Sequence, residues 1–256
     1  MKYRFIDLFA GAGGLSEGFI RAGYEPIAHI EMDHYACDSL KTRAAFHYLK
    51  ENGKLEIYEE YLKNKKEKTD GSWLWNQVPK SVIDSVIQEA IGKETLPSLF
   101  ERVDKLCNGK PVDMIIGGPP CQAYSVAGRA RLGKKIEEDP RNDLYKFYVE
   151  FLKRYKPKMF VFENVLGIFT AKGGEPFRDL IRLVRELDYN IDFREQIASQ
   201  HGVLQKRHRV IIVGWQNKRD TQEDTSYHYP YLLEEQMPYK MMRDLFCDLP
   251  IVKAGE

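Results

Sequence analysis

The position with most chemical promise in this chain is a cysteine framed by glycines and prolines. The segment IIGGPPCQAYS, Ile115 to Ser125, puts Cys121 just past a run that reads as a buried strand. In an open α/β sheet the carboxyl ends of the strands are where ligands bind. Gly117 and Gly118 leave room for such a ligand, and Pro119 and Pro120 restrict the backbone that carries the thiol. A free thiol with a pKa near about 8.5 is only a few per cent thiolate at neutral pH, so a nucleophilic role requires activation by its surroundings. Cys37, Cys107 and Cys247 lack that punctuation and are expected to be small buried hydrophobes. The cysteines form no Cys-x-x-Cys pair and have no histidine at zinc-binding spacing, so no metal site is expected.

A second chemical feature sits near the start. After Arg4-Phe5-Ile6-Asp7-Leu8-Phe9 comes the turn Gly11-Ala12-Gly13-Gly14, then a helical pattern with Leu15, Phe19 and Ala22 on one face. Glycines between a strand and a helix let backbone N–H groups approach a ligand closely. Glu31, at the end of the next strand-like run, can accept both hydroxyls of a ribose. Together these suit an adenosine-bearing cofactor, with NAD, FAD and S-adenosylmethionine all open. The glycine spacing does not reproduce the G-x-G-x-x-G fingerprint, which weighs against NAD.

Gln205, Arg207 and Arg209 alternate at period two as the chain enters a strand-like run, which would set all three on one face. The formal net charge is only +1, so any nucleic-acid contact must come from local patches of this kind. The run Lys63, Lys65, Lys66 and Lys68 reads first as a solvated helix face, with phosphate contact as the lesser reading.

Those residues need a frame. The 256 residues suffice for one large α/β domain or two small ones. Strands are expected at 4–9, 26–31, 112–117, 159–163, 191–198 and 208–214. Between them lie helices carrying Leu96, Leu99, Phe100, Val103 and Leu106, then Leu144, Phe147, Tyr148, Phe151, Leu152 and Tyr155, then Phe177, Leu180, Ile181, Val184 and Leu187. This alternation predicts a mostly parallel sheet with helices on both faces, a Rossmann-like α/β fold. Residues 48–80 break the rhythm and read as an insertion. No apolar run approaches the roughly 20 residues that cross a bilayer, and no signal peptide is evident at the start. A cytoplasmic protein is expected, nucleoid-associated if bacterial.

Four segments carry a family resemblance. RFIDLFAGAGGLSEGF (Arg4 to Phe19), IIGGPPCQAYS, FVFENVLG (Phe160 to Gly167) and QKRHR (Gln205 to Arg209) resemble, in order, signature blocks of the cytosine carbon-5 DNA methyltransferases. The resemblance covers about residues 3–215 and fits poorly over 48–95. It implies the S-adenosylmethionine-dependent methyltransferase fold, with that cofactor and with double-stranded DNA as substrate, the target cytosine flipped out of the stack. By the same resemblance Cys121 is the nucleophile and Glu163 donates or shares a proton at ring nitrogen 3. Arg209 reaches the cytosine carbonyl oxygen, and Arg207 supports the loop or a phosphate. Phe9, Gly11, Gly13, Gly14 and Leu15 match the block at the methionine end of the cofactor, Glu31 and Met32 its ribose and adenine contacts, and Pro120 lies beside the nucleophile. Gln122 to Asp139 matches a loop that closes on DNA.

Two departures qualify the match. The family usually places an acidic residue after the third strand, and here the region reads Ala90-Ile91-Gly92-Lys93-Glu94, leaving Glu94 as the substitute. After Trp215 the family continues into a target-recognition domain, whereas Met241 to Pro250 only resembles the stretch leading there. The expected organisation is therefore a catalytic domain over 1–219, with 48–95 partly an insertion, and an irregular segment over 220–256. The chain reads as a fragment of a longer, restriction-modification or orphan, enzyme, or as one subunit of a split methyltransferase whose second chain carries the recognition domain. Competing readings are a tRNA cytosine-5 methyltransferase, a catalytically inert module that binds S-adenosylmethionine or DNA, and a nicotinamide oxidoreductase. No membrane partner is expected.

Overall fold

The computed structural model describes residues 2–63, 71–120, 143–217 and 247. Its frame is a seven-stranded sheet of order β3-β2-β1-β4-β5-β7-β6. The strands are β1 (Arg4–Leu8), β2 (Glu25–Glu31), β3 (Val86–Gln88), β4 (Met114–Gly117), β5 (Met159–Asn164), β6 (Tyr189–Ile197) and β7 (His208–Gln216). β1 to β5 run parallel, and β7 runs antiparallel between β5 and β6. Chain order reverses between β1 and β4, so a crevice opens beyond their carboxyl ends.

Strand periodicity divides the core. Ile6 and Leu8 of β1 join Ile115, Phe160, Phe162, Val210 and Ile212 on one face. There they pack against α6 (Leu96–Cys107), α7 (Leu144–Tyr155) and α8 (Glu175–Glu186), whose apolar residues recur at helical spacing. The alternate residue Phe5 joins Met114 and Ile116 on the other face, against Leu15, Phe19 and Ile20 of α1 (Gly14–Arg21). Each fully buried Leu or Phe contributes about 1.5–3 kcal/mol by leaving water.

Helix boundaries follow local chemistry. Asp33 caps α2 (His34–Glu51) by accepting from the Ala36 N–H at 2.8 Å. α6 starts with Leu96-Pro97 and ends at Asn108, whose φ of 49° is left-handed. α8 starts from Gly174, where a Cβ would lie 2.7 Å from the Phe169 carbonyl oxygen.

The stretch expected to be an insertion is more integrated than its sequence suggested. α2 occupies its first residues, and α3 (Leu55–Lys63), α4 (Ser72–Trp75) and α5 (Lys80–Asp84) pack back on α2. They share a small core of Ala45, Leu49, Tyr61, Leu74 and Val78, flanked by Trp73 and Trp75. β3 also falls within 48–95, yet it is a strand of the main sheet, with Val86 and Ile87 buried. Three residues are too few to show a period, which is why it escaped notice. Of the lysine run only Lys63 is among the described residues. Among the described residues no helix is long and apolar enough to cross a membrane.

Cys37 and Cys107 are buried as expected. Cys247 is not: it is exposed.

Candidate active site

Five strand ends converge on one edge of the sheet. From β1 the chain passes through Phe9 to the glycine turn; Phe9 has a φ of 55°, an uncommon left-handed conformation for a bulky residue. Gly11 donates its N–H to Glu31 Oε2 at 2.8 Å, tying the turn to the end of β2. The other oxygen of Glu31 accepts from the N–H groups of Met32 (2.8 Å) and Asp33 (2.9 Å). Three backbone donors thus fix this carboxylate at the lip of a cleft of about 810 Å³. Phe9, Ile30, Ile91, Leu144 and Phe147 give the cleft apolar walls, and Met32, Gly118 and Pro120 complete its rim. An apolar slot with a fixed carboxylate at its mouth suits an adenosine-bearing ligand.

The glycines divide by role. At Gly13 the φ is +83° and a Cβ would lie 2.9 Å from Leu40 Cδ2, so the turn excludes a side chain there. A Cβ at Gly14 would meet nothing within 4 Å. Leu15 directs its side chain into the Phe5–Met114–Ile116 cluster, so only its backbone can serve the turn. Glu94 is not among the residues lining the cleft; Gln88 and Glu89 are, because β3 ends at Gln88. The Glu89 N–H donates to the Glu31 carbonyl oxygen at 2.9 Å, which keeps the ends of β2 and β3 together.

The second part of the site lies at the ends of β4 and β5. A Cβ at Gly117 would come 2.3 Å from the Leu8 carbonyl oxygen, and one at Gly118 would come 2.6 Å from Glu163 Oε2. The pair of glycines therefore lets β4 end tightly between β1 and the Glu163 carboxylate. Arg209 Nε donates to Glu163 Oε1 at 2.5 Å, and Arg209 Nη1 donates to the His208 carbonyl oxygen at 2.7 Å. Both side chains are about a quarter exposed (23% and 26%), so the ion pair faces open space. Antiparallel pairing of Asn164 with Val210 brings them together across β5 and β7.

Sequence reading passed over Asn164 as a working residue. It is buried, its Nδ2 donates to the Pro119 carbonyl oxygen at 3.4 Å, and its Oδ1 accepts the Val165 N–H at 2.8 Å. A polar residue closing a buried strand beside Glu163 was the available signal. Cys121, next in the chain after Pro120, lies outside the described residues, as does Gln122 to Asp139.

The expected common face of Gln205, Arg207 and Arg209 is not formed. β7 starts only at His208, and the Arg207 N–H donates to the Gln205 carbonyl oxygen at 2.9 Å. That tight turn breaks the period-two alternation. Arg209 enters the site, while Gln205 and Arg207 are exposed ahead of the strand. Among the described residues no group of three or more His, Cys, Asp and Glu side chains is placed to hold a metal ion.

Comparison with known proteins adds a second line. The family model for C-5 cytosine-specific DNA methylase matches residues 3–71 and 99–248. The type II methyltransferase M.Bpa9945I of Bacillus paralicheniformis is 33% identical over 98% of this chain and 61% of its own length. The type II methyltransferase M1.HphI of Haemophilus parahaemolyticus is 29% identical over 100% of this chain and 55% of its own. The chain thus spans somewhat over half the length of these relatives. A solved prophage-encoded protein of Escherichia coli, assigned as a DNA modification methyltransferase, superposes with a TM-score of 0.54 at 27% identity, covering 84% of this chain and 47% of its own. The gap in the family match, 72–98, contains α4, α5 and β3.

Proposed function

Because the chain belongs to the C-5 cytosine-specific DNA methylase family, we propose that it is the catalytic half of an enzyme that methylates carbon 5 of cytosine in duplex DNA. The observation that carries this reading is the Glu163–Arg209 pair, held against Gly118 at the rim of the cleft that Glu31 borders. The apolar walls and the fixed Glu31 carboxylate fit S-adenosylmethionine, held by Phe9, Gly11, Gly13, Glu31, Met32 and Pro120, with Gly14 and Leu15 contributing backbone. Bound there, that cofactor supplies an electrophilic methyl group.

Carbon 5 of cytosine is a poor nucleophile. Addition of the Cys121 thiolate to carbon 6 moves an electron pair towards nitrogen 3 and leaves carbon 5 electron-rich. Glu163 shares a proton with nitrogen 3 as negative charge gathers there, and Arg209 turns its guanidinium to the carbonyl oxygen. Once carbon 5 carries the methyl group, its proton leaves to a base and the thiolate departs, restoring the aromatic ring. A stacked cytosine cannot reach these groups, so it must be extruded at a cost of a few kcal/mol. Arg209 and Glu163 hold one another in place for the base. The relatives named as type II methyltransferases support a restriction-modification role, and their greater length supports a further segment, or a second chain, that reads the DNA sequence.

Transfer of tritiated methyl to duplex DNA, to tRNA and to no acceptor tests the reading, with the recognition half of a relative added in trans. Transfer to duplex DNA is expected, with Cys121→Ser and Glu163→Gln each lowering the rate by about 100-fold or more. Robust transfer to tRNA alone, or transfer that survives Cys121→Ser, would overturn it.

A further inference from the structure

The turn between β6 and β7 lies at the same sheet edge as the catalytic groups, since β7 begins where β5 ends: Asn164 pairs with Val210. It is a braced tip. The Ala198 N–H donates to the Arg207 carbonyl oxygen at 2.9 Å, and the Ala198 carbonyl oxygen accepts from the N–H groups of His201 (3.0 Å) and Val203 (3.2 Å). His201 Nε2 lies 2.9 Å from Gln196 Oε1, and Gly202 turns the backbone with a φ of 77°. At the end of this tip Val203 and Leu204 are each 49% exposed, followed by exposed Gln205, Lys206 and Arg207. Covering two adjacent half-exposed aliphatic side chains would be favourable, because apolar surface would leave water.

We propose that Leu204, with Val203 beside it, is an apolar wedge that enters the base stack of duplex DNA where the target cytosine has left it, while Lys206 and Arg207 hold the flanking phosphates. The inference rests on the DNA methylation reading above. Charge complementarity selects the occupant: an apolar point followed by two cations matches a duplex with a vacancy in its stack, because the gap is apolar and its borders are anionic. Leu204 is five positions before Arg209, so the tip and Arg209 are parts of one hairpin. Filling the vacancy offsets part of the cost of unstacking and keeps the cytosine from returning.

The chain, with the recognition half of a relative added in trans, is assayed on two duplexes, one with the target cytosine paired to guanine and one with it mismatched to adenine, where much of the extrusion cost is already met. Val203→Ala with Leu204→Ala is expected to lower the methyl transfer rate about tenfold on the paired duplex and less than about threefold on the mismatched one. Leu204→Met, which keeps the apolar reach, is expected to restore the paired rate. A 2-aminopurine placed at the target position should lose its fluorescence rise in the double variant. Equal losses on both duplexes would show that the tip docks protein rather than DNA, and unchanged rates on both would show that it does neither; either result overturns the wedge. If the unaltered enzyme methylates neither duplex, the methylation reading falls and the wedge with it.

Discussion

At the scale of single residues, the site is defined by where side chains are excluded as much as by where they act. Gly118 is the sharpest case. A methyl group there would sit 2.6 Å from Glu163 Oε2 and 3.2 Å from the Glu163 carbonyl oxygen. The carboxylate is the movable end of a flexible side chain, so the fold can absorb the clash by swinging Glu163 away from Arg209. Gly118→Ala is therefore expected to keep a melting temperature close to wild type while methyl transfer falls about 100-fold, since a displaced proton donor loses most of its effect. Gly18→Ala, within α1 and with open space around it, is expected to leave methyl transfer nearly unchanged and serves as the control. Measuring rate and thermal melting on the two variants checks both. A Gly118→Ala protein with full activity would mean that Glu163 does not work from its place beside Gly118.

At the scale of elements, α1 and α2 are joined by one carboxylate. Glu17 of α1 accepts from Arg43 Nη2 at 2.6 Å and lies 2.9 Å from His47 Nε2, both on α2, and it also accepts from Arg21 at 2.8 Å. Burial pushes its carboxyl pKa up, but the hydrogen bonds of His47 and Arg21 and the charges of His47 and Arg43 outweigh that and hold it down to about 2. A carboxyl depressed in the folded state stabilises the fold fully above its unfolded pKa, near 4.5, and loses that contribution as pH falls towards about 2. Glu17→Gln should thus cost on the order of 1–2 kcal/mol at neutral pH, allowing for solvent screening, with the difference vanishing as pH approaches about 2. Urea unfolding of both proteins across that range reads it directly. A constant difference from pH 7 to pH 2 would show that Glu17 acts through packing instead of charge. This contact also steadies the glycine turn, because α1 starts directly from Gly13.

At the scale of the whole molecule, thiol reactivity reports which cysteines the fold encloses. Burial raises the Cys37 thiol to about 11, helped by the nearby charge of Glu31, and burial likewise raises Cys107. With both fully or nearly covered, modification by a disulfide reagent at pH 8 should be fast at exposed Cys247 and should wait on unfolding at Cys37 and Cys107. Peptide mapping after timed labelling separates the sites, and urea should bring the two slow ones forward together. Labelling of Cys37 at the Cys247 rate in native buffer would contradict the packing of α2 on the sheet. The family match lapses over 72–98, which holds α4, α5 and β3, whereas α2 and α3 of the same small core lie within it.

The sequence alone determined the fold class, most strand and helix positions, and the family, because those depend on local periodicity and on short motifs whose residues are neighbours in the chain. Helices of 12 residues such as α7 and α8 show their apolar stripe without any partner in view. Contacts between residues far apart in the chain were decided only in three dimensions. Glu163 and Arg209 are 46 positions apart, and only the antiparallel pairing of β5 with β7 makes them a pair. The same holds for Asn164 reaching back 45 positions to Pro119, for Glu89 rather than Glu94 at the cleft, and for β3, too short to announce itself. Sheet order sets those meetings, and sheet order arises from the packing of the whole core, which no local window of residues contains.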